Sequence, residues 1–234
     1  TVGGAVALNA GAYGQSVKET LQSVRVYDIT TRKLRSYATD ELHYWHRSSI
    51  FREKRGNDWV IIDATFKLRR SMSHPTHPKI ISLPEQSLQS PDALRRAVLG
   101  LRSFFPNPYK VQNSGSFFLN PTITNAQANK LKEVFPGIVV RAFDKKHQQI
   151  SSGWLLDTAG LKGTRIGNFS FSKRHANLVI NNASDSSGKD LLQFITHASK
   201  IVKYKFGINL VPEPLLVGEE FWQGMLKTLP LKIS

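Results

Sequence analysis

The residues able to do chemistry in this 234-residue chain fall into a few short segments. Gly3-Gly4 and Gly11-Ala12-Tyr13-Gly14 would let backbone N–H groups approach a phosphate chain closely, as glycine-rich turns do in nucleotide sites. The spacing is neither GxGxxG nor a P-loop, since no Gly-Lys-Ser/Thr follows. In SGSFFLNP (114–121) Ser116 stands between a glycine and an aromatic pair, with Asn120-Pro121 after it. There is no GxSxG elbow and no assignable His–Asp pair, so a hydrolase triad is poorly supported and a turn serine is the plain reading. VPEPLLVG (211–218) reads as a strand with one carboxylate, Glu213, and GWLLD (153–157) reads as helix core. His74-Pro75-Thr76-His77 offers two imidazoles, but proline and the lack of nearby carboxylates speak against a closed metal site. No metal is expected. The glycosylation sequons at Asn168 and Asn182 occur at a frequency that chance supplies.

These residues need elements to position them. SVRVYDI (23–29), Thr30-Thr31 and RKLRSYA (32–38) read as a hairpin, with Val24, Val26 and Asp28 facing opposite to Arg25 and Tyr27. WVIIDATFKL (59–68) is rich in β-branched and aromatic residues and reads as a strand. Residues 71–89 hold three prolines and no clear period, which predicts a loop. Ser90-Pro91-Asp92 opens a helix bearing Leu94, Val98 and Leu101 on one stripe. It ends before Phe104-Phe105-Pro106-Asn107-Pro108, the best domain boundary. Beyond it, residues 125–135 read as helix, 138–143 as extended chain, and 152–161 as a short helix closed by Gly160 or Gly163. ANLVIN (176–181) reads as a buried strand. Leu191, Ile195, Ala198 and Val202 mark the clearest helix, with Lys203 and Lys205 suited to its C-terminal dipole and Gly207 at its exit. The alternation lacks a regular βαβ rhythm, so the class is α+β.

Composition narrows the chemistry. The absence of cysteine excludes disulfides, thiolate metal sites and a cysteine nucleophile. No apolar run approaches the ~18 residues of a membrane span, and the glycine-broken start does not read as a signal peptide. The net charge of +15 is spread evenly along the chain, without a polybasic block. That pattern suits a basic surface facing an anionic ligand better than a nucleic-acid partner.

Six segments taken in order are more specific than any one of them. TVGGAVALNAGAYGQ (1–15), HRSSIFR (46–52), SGSFFLNP, SSGWLLDTAGLKG (151–163), KRHANLVIN (173–181) and LVPEPLLVG (210–218) resemble the successive motifs of the UDP-N-acetylenolpyruvoylglucosamine reductase (MurB) family of bacterial cell-wall synthesis. The resemblance implies a cytoplasmic, monomeric flavoenzyme that uses NADPH to reduce bound FAD and then reduces the enolpyruvyl group of a UDP-sugar to give UDP-N-acetylmuramate. It implies Ser116 as the acid that protonates the enol-like carbon, Arg47 and Glu213 as its support, and Asn120 as a substrate contact. The glycines 3, 4, 11 and 14, with Ala12 and Tyr13, would meet the cofactor. Neither nucleic acid nor membrane is an expected partner. The family's tyrosine before the arginine is His46 here, the lysine after that motif is Arg52, and the lysine of the serine motif is Leu119. A further family lysine falls on Phe105, and no tyrosine stands between Tyr44 and Tyr109.

The resemblance further implies that residues 1–105 are the remainder of a vanillyl-alcohol-oxidase-type (type 2) FAD-binding domain, preceded in the gene by a flavin pyrophosphate loop. Residues 106–217 would be an α+β substrate domain and 218–234 a tail returning to the first domain. A basic nucleic-acid-binding module and a degenerate, cofactor-free relative are the rival readings. The full-length gene product should purify yellow, with the absorbance bands of oxidised flavin. Colourless protein would favour the degenerate reading.

Overall fold

The computed structural model describes residues 1–53, 58–71, 75–103, 105–107, 110–214 and 216. The chain divides into two compact units, Thr1–Leu101 and Arg102–Ser234, each with its own hydrophobic core among the described residues.

The first unit opens with α1 (Val2–Ala7), capped by the Thr1 side chain, and a two-residue hairpin of β1 (Gly11–Ala12) and β2 (Gln15–Ser16). Its sheet is antiparallel, in the order β4 (Lys33–Ala38), β3 (Leu21–Asp28), β5 (Trp59–Phe66). Alternation along β3 works as the sequence suggests: Val24 and Val26 are fully buried, Asp28 is buried with them, and Arg25 is exposed. Each buried valine contributes about 1.5–3 kcal/mol of transfer free energy. These two valines pack with Val6, Leu42, Ile50 and Phe51, and the partly buried Ile61 and Ala64 of β5 complete that core. Tyr37 and Trp59 stack at 4.6 Å. Two helices follow, α2 (Pro78–Ile81) and α3 (Pro91–Leu101).

The second unit has two antiparallel sheets. One has the order β7 (Thr122–Thr124), β9 (His147–Ile150), β8 (Val140–Ala142), with α4 (Asn125–Val134) starting directly from β7. Thr124 and Gln127 form a reciprocal cap at the start of α4. The other has the order β10 (Arg165–Ile166), β11 (Phe169–Phe171), β12 (Leu178–Asn181), β6 (Asn113–Ser116). The long helix α6 (Gly188–Phe206) packs on β11, its Phe194 ring 4.7 Å from that of Phe171. Ile195, Ala198 and Val202 are buried along the same stripe. A Ser187–Asp190 capping box starts α6 and Gly207, at φ 70°, ends it. The short helix α5 (Ser152–Thr158) buries Leu155 and Leu156 against this core. Among the described residues no helix is long and apolar enough to cross a membrane.

Some expectations need correction. Residues 71–89 are not all loop: α2 forms because His77 Nδ1 accepts the Lys79 N–H and Pro78 presets the first helical φ, and a 3-10 turn follows at Glu85–Leu88. Such short elements leave no hydrophobic period to read. Gly3-Gly4 lie inside α1 rather than in a turn. Of the expected strand over 211–218, the described residues 211–214 and 216 form only a single bridge, Pro212 to Phe118, because Pro212 and Pro214 have no N–H to extend a ladder. The extended stretch at 138–143 is strand only over Val140–Ala142. His74, Phe104, Pro108 and the tail from 218 lie outside the described residues.

The burial of Asp28 on an apolar face is explained by its turn. Its Oδ1 accepts the Thr31 N–H at 2.9 Å, and Arg35 lies within ion-pair range. The hydrogen bond to the Thr31 backbone, opposed in part by burial, leaves the carboxyl below its ordinary pKa. A carboxylate whose folded-state pKa is depressed stabilises the fold above its unfolded pKa and loses that contribution as pH falls through the folded value. Asp28→Asn should therefore flatten the acid limb of stability below about pH 4, read by denaturant titrations across pH. An unchanged acid limb would count against the role.

Candidate active site

Ser116 ends β6, and the way that strand ends is irregular. Between the pairs Leu178↔Ser116 and Ile180↔Asn113, β12 advances two residues while β6 advances three. The extra residue is a bulge, and Gly115 within it has φ 77°. A side chain is disfavoured at that angle, and the Asn113 Oδ1 accepts the Gly115 N–H at 3.0 Å to hold the kink. The bulge re-aims the next residue, Ser116, which is half-buried. Among the described residues its hydroxyl makes no hydrogen bond, so it is available as a donor. The next two side chains, Phe117 and Phe118, are buried and anchor the segment.

Beyond the bulge the backbone is held chiefly by the Asn177 side chain, with Ser152 Oγ also donating to the Phe118 carbonyl at 3.2 Å. Asn177, 3% exposed, accepts the Phe118 N–H at its Oδ1 and donates from Nδ2 to the Phe118 carbonyl, both at 2.8 Å. The same Nδ2 donates to Ser152 Oγ at 2.8 Å. Ser152, fully buried at the start of α5, places its N–H at 3.0 Å and its hydroxyl at 3.1 Å from Asn120 Oδ1. Asn120 is exposed, and with its oxygen facing α5 its amide N–H₂ is the end left for other partners.

Glu213 approaches the same segment. Its backbone N–H donates to the Phe117 carbonyl at 2.8 Å, Leu119 N–H donates to Val211, and Pro212 bridges Phe118. Ser116, Asn120 and Glu213 therefore converge on one stretch of the second unit. His175 lies nearby, its Nδ1 accepting the Asn177 N–H and its ring 5.6 Å from that of Phe105.

Arg47 belongs to the first unit. It sits in a tight reversal between Trp45 and Ser48 with φ 56°, a left-handed angle costly for a residue with a side chain. Two buried polar groups hold that reversal: Asn9 Nδ2 donates to the Trp45 carbonyl at 2.8 Å, and Ser49 Oγ donates to the Ala7 carbonyl. Arg52 donates to the Arg47 carbonyl. His46 is held below its ordinary pKa, by burial first and then by the Arg47 charge. Tyr44, donating to the Val6 carbonyl, is pushed up to about 12 by burial.

The glycine-rich start divides by geometry. A side chain at Gly3 would meet nothing within 4 Å, and at Gly14, with φ 82°, only His77 Cβ at 3.8 Å, so space stands open beside both backbones. A Cβ on Gly11 would lie 2.4 Å from the Gln15 carbonyl, so its missing side chain serves the hairpin itself. The open backbones of Gly3 and Gly14 and the exposed Ala12 fit one flank of an extended cofactor. Among the described residues no cluster of His, Asp and Glu could hold a metal ion.

Sequence reading missed Asn177, Ser152 and Asn9. A polar residue embedded in the apolar run ANLVIN was the available signal for Asn177.

Residues 107–217 match the family model described as UDP-N-acetylenolpyruvoylglucosamine reductase, C-terminal domain. A protein of that name from Pseudoalteromonas translucida is 34% identical over 220 residues, covering 93% of this chain and 64% of the relative. One from a Shewanella species is 32% identical over 223 residues, with coverage of 93% and 64%. The crystal structure of the Thermus caldophilus reductase matches with a TM-score of 0.57 at 24% identity, covering 91% of this chain and 58% of that one. The chain thus spans under two thirds of the length of the curated relatives it matches.

The bulge yields a direct test. Gly115→Ala meets no atom within 4 Å, so only the backbone angle is taxed, and the loss of stability should be about 1–2 kcal/mol. Gly115→Asn should lose less, because asparagine tolerates positive φ better. Chemical denaturation decides it, and equal losses for both variants would reject the backbone explanation.

Proposed function

Because the chain is related over most of its length to the UDP-N-acetylenolpyruvoylglucosamine reductases, we propose that this protein reduces an enolpyruvyl UDP-sugar to UDP-N-acetylmuramate in peptidoglycan precursor synthesis. The observation that carries this reading is the bulge that presents an unengaged Ser116 hydroxyl on the segment where Glu213 and Asn120 converge. On this reading the protein is a cytoplasmic flavoprotein. Residues 1–105 contribute the remainder of a type 2 FAD-binding domain and residues 106–217 the substrate domain.

FAD, if bound here and reduced by NADPH, would supply the hydride chemistry. Gly3, Gly4, Gly11, Ala12, Tyr13 and Gly14 would hold that cofactor along their backbone. The chain's own groups manage the proton. When a C–H bond forms at one vinyl carbon, the π electrons move to the carbon bearing the carboxylate. Ser116 Oγ–H gives its proton to that carbon, and the serine recovers a proton from solvent. A serine hydroxyl is a weak acid, so its transfer needs the enolate charge stabilised as it develops. Arg47 provides positive charge for that purpose, and its left-handed backbone is the kind of local strain kept where a side chain must be aimed. Glu213 supports the acid from the adjoining strand-like segment. The Asn120 amide N–H₂ donates to the substrate, and the basic surplus favours a ligand with a diphosphate and a carboxylate.

In full-length protein, Ser116→Ala should leave flavin reduction by NADPH nearly intact and slow flavin reoxidation by the enolpyruvyl UDP-sugar by about 10²–10⁴-fold, the usual contribution of a positioned acid. Rapid-mixing absorbance of the two half-reactions measures this. Equal loss in both would point to a structural serine.

A further inference from the structure

The buried polar network behind the serine strand reaches further than local stability requires. An isolated strand residue whose N–H and C=O leave the ladder costs free energy unless both groups find partners. The Asn177 amide takes both the N–H and the C=O of Phe118 and so replaces a missing neighbouring strand at that position, with Ser152 Oγ a second, longer donor to the carbonyl at 3.2 Å. The clamp lies two residues beyond Ser116, and the Asn177 backbone carbonyl also accepts the Phe117 N–H at 2.7 Å. It then continues through Ser152 to Asn120. All the hydrogen-bonding capacity of the Asn177 amide group that matters here is spent on these contacts: Oδ1 accepts once and the two Nδ2 hydrogens go to Phe118 O and Ser152 Oγ.

We infer that Asn177 is a positioning residue that sets both the acid and the substrate amide of the proposed reaction, acting through the Phe118 backbone on Ser116 and through Ser152 on Asn120. The inference rests on the reductase reading above, and neither the motif match nor the family model singles out this role. Two features give it content. The Asn177–Ser152 centre of the network is buried, 3% and 0% exposed, so a bond lost there is not replaced by solvent at low cost. The two branches also depend on Ser152 unequally: Asn177 pairs both Phe118 groups at 2.8 Å, whereas the single Ser152 Oγ proton, shared between the Phe118 carbonyl at 3.2 Å and Asn120 Oδ1 at 3.1 Å, adds only a second donor to that carbonyl.

Asn177→Asp preserves shape and keeps an acceptor for the Phe118 N–H, but it replaces the Nδ2 donor with an oxygen that faces the Phe118 carbonyl. Protonating that carboxyl restores one donor. Burial favours the neutral form, so the variant carries a built-in titration. In full-length protein Asn177→Asp should slow flavin reoxidation by the enolpyruvyl UDP-sugar about a hundredfold at neutral pH, the scale of a displacement near 1 Å. Reduction by NADPH should be untouched, and the lost rate should return as pH is lowered, in a range where the wild-type rate does not rise. Ser152→Ala should raise KM for the UDP-sugar about fivefold, the worth of one hydrogen bond, with kcat changed less. Hydrogen exchange at the Phe118 amide gives a readout independent of turnover. It should stay protected in Asn177→Asp and exchange faster in Asn177→Leu, which has no acceptor.

A wild-type protein that cannot reoxidise its flavin with the enolpyruvyl sugar would overturn the reductase reading itself. An active wild type with Asn177→Asp equally fast, or equally damaged in both half-reactions without recovery at low pH, would overturn the positioning role alone. Should Asn177→Asp fail to fold, the Ser152→Ala split between KM and kcat decides, and a parallel fall in both would reject the network as a positioning device.

Discussion

One buried amide carries the second unit's candidate site. The Asn177 side chain pairs with the N–H and C=O of Phe118 as a neighbouring strand would, where the sheet itself has run out. Without such a partner the Phe118 N–H would be left unpaired, a cost of about 1–3 kcal/mol, and its carbonyl would keep only the longer Ser152 Oγ contact at 3.2 Å. With the Asn177 amide in place, a chain that has left regular structure is held as rigidly as a ladder holds it. The aromatic pair Phe117-Phe118 then fixes the segment against the core, and the bulge at Gly115 turns the serine relative to that fixed frame.

The first unit uses the same chemistry on another loop. Asn9, 3% exposed and at φ 45°, donates to the Trp45 carbonyl and accepts the Lys18 N–H. Ser49, fully buried, donates to Ala7 and accepts the Phe51 N–H. Between these anchors the chain reverses sharply enough to hold Arg47 at a positive φ. In both units, buried amide and hydroxyl groups satisfy the backbone of irregular segments, and the side chains with chemical potential sit on those segments. Fully satisfied networks of this kind specify a single arrangement, because any alternative exposes an unpaired group to a dry interior.

The electrostatics agree with an anionic ligand without a dedicated phosphate motif. The net charge of +15 is spread evenly along the chain, and His46 is held below its ordinary pKa by burial first, with the Arg47 charge adding to it. A cation-rich loop of this kind favours a negatively charged partner when one arrives. On the proposed reading, the ligand's diphosphate and carboxylate match that preference.

The α+β class was legible because its signals are local. Alternating burial along β3, the stripe from Leu191 to Val202 and the glycine at 207 need no tertiary information to read, since side-chain period and terminal caps act within a few residues. The motif order was legible for the same reason, and with it Ser116, Asn120 and Glu213 as residues to examine. The tertiary structure alone decided what aims them. The bulge in β6 exists only because β12 pairs with it in a shifted register. The Asn177 clamp joins positions 59 residues apart, and Asn9 reaches Trp45 across 36. The segment from Val211 had the apolar composition of a strand, but among its described residues two prolines leave only a bridge, Pro212 to Phe118. Hydrogen bonds over such separations leave no periodic trace, because a single buried asparagine carries no pattern until the chain that it satisfies has folded against it.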